Sequence, residues 1–549
     1  MKHLKFSILS TYVRYLNASS RRWRTTTTPD LALCTGDIHK NITREVAAQL
    51  GGSDHRPVIL TLKTEMDPPP SRPPRWNYKK AKWAVYRIRT NELLKDLRVQ
   101  GRNVDAVVKD FNLAILTAAK ETIPRGATRE YKPFWNQKLQ EAEEELNNAR
   151  EKAEEEPGDE NHIKLQEANA KFLRTKLEAQ RKGWRDKTSS LDMEREGAKV
   201  WRLMKAMDEE ESRGARTTLE DENGNMKIGA RAGDLFARSY AKESDVKVDR
   251  EKEKEARLEQ KQRLKGEKPA ECMTKDITAS ELQQALRQLK KKKSPGPDGI
   301  TNEMLTNLGT TAQSKLLEIF NLSWREGKLP QLWREAIMIP ILKRGKNKSK
   351  AASYRPISLT SCVCKLMERI INKRMQWHFE QESVIIPEQA GFQKFRSTED
   401  QVTYLSQVIE DAFQAQKVVL ATFIDLQKAF DKVWKDGLLV KLLRSGISGN
   451  LYRWTKAYLH NRRARVSVDG KKSKKVLLKQ GVPQGGVLSP SLFILFINDL
   501  VAELPRGISA ALYADDLVLW CSEEYATTAN YRMQQALDTV YAWAKHQQR

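Results

Sequence analysis

Two apolar, strand-length stretches end on acidic residues, and they limit what this chain can fold into more than any other feature. Val418-Val-Leu-Ala-Thr-Phe-Ile-Asp425 is apolar almost throughout, the pattern of a strand buried in a sheet. Ala510-Ala-Leu-Tyr-Ala-Asp-Asp-Leu-Val-Leu-Trp520 has apolar runs on both sides of Asp515 and Asp516, which predicts a hairpin with the acids at its turn. Each has an ordinary explanation when read alone. Asp425 can cap the helix that Leu426-Gln-Lys-Ala-Phe-Asp431 opens, and Asp is a frequent turn former. Adjacent carboxylates, however, repel and raise one another's pKa unless a cation lies between them. Read together, the strand-end acid and the acid pair predict a carboxylate cluster on one sheet. Such clusters hold two metal ions about 3.5–4 Å apart. Mg²⁺ suits such a site, because it binds through a few carboxylates plus substrate phosphates, and Mn²⁺ is the alternative.

Between the two acidic sites lies Gln480-Gly-Val-Pro-Gln-Gly-Gly-Val-Leu-Ser-Pro490. Its glycines permit close backbone approach and its prolines stiffen the loop. Ser489-Pro490 then opens a helix predicted over Ser491–Leu500. An ordinary Gly-rich loop would read the same way in isolation. Its position between the two acidic sites is what makes it informative.

Charge points to the partner. The 549 residues hold 97 Lys and Arg against 71 Asp and Glu, a net charge of +26. That excess favours a polyanion, of which nucleic acid is the commonest, since bound cations release its counterions. No apolar run approaches the roughly 18 residues of a membrane span, and Met1–Ser20 lacks a signal-peptide core. Five cysteines do not form a disulfide framework, so a reducing, intracellular setting is expected, not secretion. Cys362-x-Cys364 has no partners at zinc-site spacing.

Composition divides the chain into four parts. Residues 1–64 read as a β-rich segment that includes the strand Val58–Leu62. Residues 65–78 contain Asp67-Pro-Pro-Pro-Ser-Arg-Pro-Pro74 and read as a stiff linker. Residues 79–265 are charged and helical, with helices predicted over Gln137–Glu156 and 161–185 around the breaker Pro157-Gly158. This part reads either as a solvated connector or as a helix pair that grips nucleic acid. Residues 266–549 alternate apolar runs with helical patterns, giving an α+β class.

In residues 275–549, six motifs follow one another. They are Gly296-Pro-Asp-Gly-Ile300, Tyr354-Arg-Pro-Ile-Ser358, Gln389-Ala-Gly-Phe392, Phe423–Asp431, Gly481–Pro490 and Tyr513-Ala-Asp-Asp516. In content and order they resemble the reverse transcriptase of non-long-terminal-repeat retrotransposons, most closely the arthropod jockey type. The resemblance implies a right-hand polymerase with fingers and palm, an antiparallel palm sheet packed on helices. It implies RNA-directed DNA synthesis, with an RNA template, a DNA primer or target DNA, deoxynucleoside triphosphates and Mg²⁺. Asp425, Asp515 and Asp516 would be the catalytic metal ligands. Phe430 would stand where a ribose 2′-OH would go, or else be a core aromatic. Gln484 and Gly485 would border the nucleotide pocket, and Lys343 and Arg355 would hold the triphosphate. The runs Lys290–Lys293, Gln393–Thr398, Arg462–Arg465 and Lys471–Lys475 would contact nucleic acid or remain solvated.

Thr28–Leu33 followed by Gly52-Ser-Asp-His-Arg-Pro57 resembles the end of an endonuclease/exonuclease/phosphatase domain, with Asp54 and His55 in its catalytic triplet. The metal-binding half of such a domain has no counterpart, so no nuclease activity is expected. The resemblance also leads to the expectation that the primer grip and thumb are missing after the helix predicted over Thr527–Lys545. A catalytically inactive RNA-binding relic is therefore the alternative to a working polymerase. Either would be a nuclear or cytoplasmic ribonucleoprotein component.

Overall fold

Where apolar residues run uninterrupted, the chain forms strands in sheet interiors; where they recur every three or four residues, it forms helices that lie on those sheets. The structure, a computed structural model, describes residues 6–9, 32–35, 42–46, 58–62, 75–126, 134–156, 158–189, 197, 200, 201, 204, 217–246, 248–266, 269–343 and 345–548. It divides into two units, one of residues 1–73 and 127–215, the other of 74–126 and 216–549.

In the first unit Phe6–Leu9 pairs antiparallel with Ala32–Thr35, and Ile42–Val46 with Val58–Leu62. Asp54 and His55 lie outside the described residues. Helices Gln137–Glu155 and Asp159–Ser189 fold back on each other across the Pro157-Gly158 break. Asn136 caps the first, its side chain accepting from the Leu139 N–H at 2.9 Å. Buried Leu139, Ala142, Leu146, Ala168 and Ala179 supply the apolar residues of the pair, and Lys171 bridges to Glu145 at 2.5 Å.

The second unit has six longer strands among its described residues: β1 (Glu335–Leu342), β2 (Tyr354–Thr360), β3 (Val418–Asp425), β4 (Arg462–Val468), β5 (Ser509–Tyr513) and β6 (Asp516–Glu523). They form two sheets. In one, β1 pairs antiparallel with β2 and parallel with β4, and the short strands 471–472 and 476–478 extend from β4. In the other, β6 lies between β5 and β3, with every pairing antiparallel. Helix Gly229–Glu243 covers β4, burying Ala232, Phe236 and Ala237 against Ala336, Met338, Ala464 and Val466.

A larger core lies behind the three-stranded sheet. Helix Ser489–Ile497, apolar on every side, is enclosed within it, as an all-round hydrophobic helix must be. Helix Ala526–Gln548 packs on β6 and β3. The same core takes in Tyr86, Val107, Phe111 and Ile115 from helices Trp83–Leu94 and Val104–Thr122, which pack on helix Thr310–Glu326. The composition changes near residue 266, but the compact unit runs across that point. The reason is that those upstream helices, though rich in charge, bury Tyr86 and Leu94 from one and Val107, Phe111 and Ile115 from the other. Arg75–Tyr78, at the end of the Pro-rich stretch, also belong to this unit. The Trp76 ring lies under the Arg125 guanidinium at 3.9 Å, and the Asn77 N–H donates to the Pro124 carbonyl at 2.8 Å. No helix among the described residues is long and apolar enough to cross a membrane.

Candidate active site

The register of the three-stranded sheet places the acids. Asp516, the first residue of β6, stands directly opposite Asp425, the last of β3. Directly opposed residues of an antiparallel pair have Cβ atoms roughly 4.5–5.5 Å apart on the same face. Alternation puts exposed Phe423 on that face as well, while Leu517 and Leu519 point into the core. Asp515 sits in the two-residue turn between β5 and β6, after Ala514, whose φ of 59° is left-handed. Burial raises the Asp515 pKa above its ordinary value. The carboxylates of Asp516 and Asp425 add to the rise, while its own backbone N–H and the Arg355 guanidinium oppose it. The three acids and Arg355 therefore act on one another electrostatically.

Among the described residues, no group of three or more His, Cys, Asp and Glu side chains is placed so that it could hold a metal ion as it stands, so the predicted cluster of three acids is not assembled. The donor set nevertheless suits a hard divalent cation. Carboxylates held in mutual repulsion on an open face leave coordination positions for phosphate and water, which is how Mg²⁺ is usually bound.

The Gly-rich loop hangs on the segment that follows β3. The Gly481 N–H donates to the Val433 carbonyl and the Val482 N–H to that of Phe430, each at 2.8 Å. Gly481 has φ +85°, and a Cβ there would stand 2.5 Å from the Asp431 carbonyl oxygen, so glycine is required on both counts. Gln484 connects two elements. Its Nε2 donates to Asp431 Oδ2 at 2.8 Å, and its carbonyl accepts from the Ser358 N–H of β2 at 3.0 Å. Gly485, φ +105°, passes close to the Ser358 carbonyl. Burial pushes the Asp431 carboxyl up to about 6, aided by the Glu243 carboxylate and opposed by Lys428 and Gln484. Lys428 itself pairs with Glu243.

Phe430 is half-buried. Its ring stacks on Phe493 at 4.6 Å and meets Phe392 edge-on at 6.5 Å. It is thus an aromatic packed between Phe493 and Phe392. Arg355 lies exposed on β2 opposite Ile341 of β1. Lys343 follows two residues after Ile341, with its N–H donating to the Ser353 carbonyl at 2.9 Å. Both cations therefore lie at the same end of the β1–β2 hairpin.

Residues in and beside the other motifs have local roles. Asp400 forms a capping box with Ser397 at the start of helix Thr398–Gln414. Arg462 is buried, donates to the Tyr458 carbonyl at 2.9 Å and lies over the Tyr458 ring, whereas Arg463 and Arg465 are exposed. Cys362 and Cys364 are buried free thiols at a helix start. Phe395 is fully exposed between Lys394 and Arg396.

Two residues given no role in the sequence reading support the site from below. Buried Glu368 accepts through Oε2 from the Val487 N–H at 2.6 Å, the Leu488 N–H at 3.3 Å and the Tyr458 hydroxyl at 3.2 Å. It thereby fixes the end of the Gly-rich loop. Buried Gln389 bonds to the turn that carries Asp515. Its only sequence signal is its place in the motif Gln389–Phe392.

Residues 341–548 match the family model described as reverse transcriptase (RNA-dependent DNA polymerase). A probable RNA-directed DNA polymerase from transposon BS of Drosophila melanogaster is 37% identical over 278 residues, which cover 49% of this chain and 30% of that protein. The RNA-directed DNA polymerases from mobile element jockey of Drosophila melanogaster and Drosophila funebris are each 33% identical, over 49% of this chain and 30% of theirs. The match thus spans under a third of the length of these curated relatives.

Proposed function

We propose that residues 266–549 form the fingers and palm of an RNA-directed DNA polymerase of a non-long-terminal-repeat, jockey-like retrotransposon. One observation carries the reading: Asp425 and Asp516 oppose each other across β3 and β6, with Asp515 at the adjoining turn. The similarity of residues 341–548 to reverse transcriptases supports it. The three-stranded sheet is the palm, and the β1–β2 hairpin belongs to the fingers. Residues 1–64 are read, on the Gly52–Pro57 motif, as the end of an endonuclease-like domain that takes no part in synthesis.

The substrates are an RNA template, a DNA 3′ end and deoxynucleoside triphosphates. Asp425, Asp515 and Asp516 would hold Mg²⁺, which when bound lowers the pKa of the attacking 3′-hydroxyl and neutralises the leaving pyrophosphate. Arg355 offers a planar fork of donors to the triphosphate and Lys343 a point charge, both from one hairpin end. Gln484, fixed by Asp431 and by β2, shapes the pocket for the base and sugar. The Phe430 ring, backed by Phe493, leaves room for a deoxyribose and crowds a 2′-hydroxyl. Catalysis on this plan is positioning and charge neutralisation.

The test is extension of a labelled DNA primer on an RNA template with Mg²⁺, comparing the chain with its Asp515→Asn, Asp516→Asn double variant. Extension by the parent and loss in the variant are expected. If the parent fails to extend while both bind RNA equally, the chain is a binding relic and not a polymerase.

A further inference from the structure

We infer that Gln389 is a positioning residue for Asp515, holding the preceding residue, Ala514, in the left-handed conformation that aims the carboxylate. The inference rests on the reading of Asp425, Asp515 and Asp516 as the metal-binding acids.

Ala514 has φ 59°, a region that a residue with a Cβ occupies only when its surroundings enforce it. The Gln389 side chain is 1% exposed. Its Oε1 accepts from the Ala514 N–H at 3.0 Å and from the Gly391 N–H at 2.8 Å. Its Nε2 lies 3.5 Å from the Ala514 carbonyl oxygen, to which it donates. One amide thus brackets both polar groups of the strained residue. The backbone reinforces the clamp. The Leu512 N–H donates to the Glu388 carbonyl and the Ala390 N–H to that of Leu512, each at 2.9 Å, so the Gln389 segment runs parallel beside β5. At Gly391 any Cβ would collide with the Ala514 nitrogen, so the segment lies directly against the turn. Arg396 donates to the Pro387 and Gln389 carbonyls and ties the segment to the start of the next helix. Every hydrogen bond of the Gln389 amide ends on the catalytic turn or on its own loop. A glutamine present only to fill the core would not need that arrangement.

The experiment uses the full chain, with amide hydrogen exchange and primer extension read side by side. In the parent, the Ala514 amide is expected to exchange at least about 100-fold more slowly than in a free peptide. In Gln389→Met, which keeps length and loses the acceptor, Ala514 should exchange about 10–100-fold faster, while helix Ser489–Ile497 keeps its protection. The Mg²⁺ concentration for half-maximal extension should rise roughly tenfold, with KM for the nucleotide within about twofold, because the ligand and not the nucleotide pocket has moved. Adding Ala514→Gly, which lowers the barrier to the left-handed turn, should bring that Mg²⁺ concentration back down about fivefold. Rapid Ala514 exchange in the parent overturns the inference without any variant. Unchanged Ala514 exchange in Gln389→Met overturns it, as does faster exchange with an unaltered Mg²⁺ dependence. A parent that exchanges as expected but extends no primer refutes the polymerase reading, and the exchange result still decides whether Gln389 holds the turn.

Discussion

Asp431→Asn is expected to stabilise the second unit at neutral and alkaline pH and to lose that advantage in acid. Burial, with Glu243 nearby, pushes the Asp431 carboxyl from 3.8 up to about 6. A carboxyl raised on folding favours the native state while protonated. The parent's stability from this group is therefore full below about 3.8 and is lost as pH rises through about 6. That displacement sets an upper bound of about 3 kcal/mol at pH 8. The linkage relation gives about 1.5 kcal/mol at pH 5 and about 0.5 at pH 4. Asparagine carries no charge at any of these pH values and still offers Gln484 an acceptor. For a unit of about 390 residues, unfolding entropy is roughly 0.8 kcal/mol/K, so the variant should melt about 3–4 °C above the parent at pH 8 and within about 1 °C of it at pH 4. Calorimetry of both proteins across that range is the assay. A melting difference that is constant with pH, or a variant less stable at pH 8, would refute the assignment of a desolvated carboxyl beneath the Gly-rich loop.

Other substitutions test the same site from other sides. Gly481→Ala must adopt φ +85° and meet the Asp431 carbonyl, so urea titration should show a loss of about 2–4 kcal/mol. Phe430→Ala removes a ring stacked on Phe493; it should destabilise the protein by about 1–3 kcal/mol and raise ribonucleotide use relative to deoxynucleotide roughly tenfold in extension assays. Glu368→Gln replaces an acceptor of two backbone N–H groups and should cost about 1–3 kcal/mol, with faster amide exchange confined to Val487–Leu488.

What could be read from sequence is what local pattern encodes. Val418–Asp425 and the hairpin around Asp515 are apolar runs with acids at their ends, and they form β3, β5 and β6 close to where the pattern places them. Helix Gln137–Glu155 follows from its own composition, with Asn136 as its cap. The supports beneath the site were not legible. Gln389 and Ala514 are 125 residues apart, and Glu368 and Val487 are 119 apart. No periodicity links a buried acceptor to a backbone N–H at such distances. In sequence Asp431 is only the last residue of the motif Phe423–Asp431, because its burial depends on Gln484 and on helix Gly229–Glu243. Composition also suggests a boundary near residue 266, since it averages over the upstream helices and does not register the buried stripe of Tyr86, Phe111 and Ile115.

That stripe sets a schedule for the ribosome. Helices Trp83–Leu94 and Val104–Thr122 leave the exit tunnel long before helix Thr310–Glu326, whose Ala312 N–H will donate to Asn91 Oδ1 at 3.1 Å. At about 5–20 residues per second the wait is on the order of 10–40 s. Throughout it Tyr86, Phe111 and Ile115, all at most 1% exposed in the finished protein, have no partner from the later helix. The three-stranded sheet waits about half as long, because its strands all fall within residues 418–523. The longest wait for a core partner during synthesis therefore falls on these upstream helices and not on the strands that carry the acids.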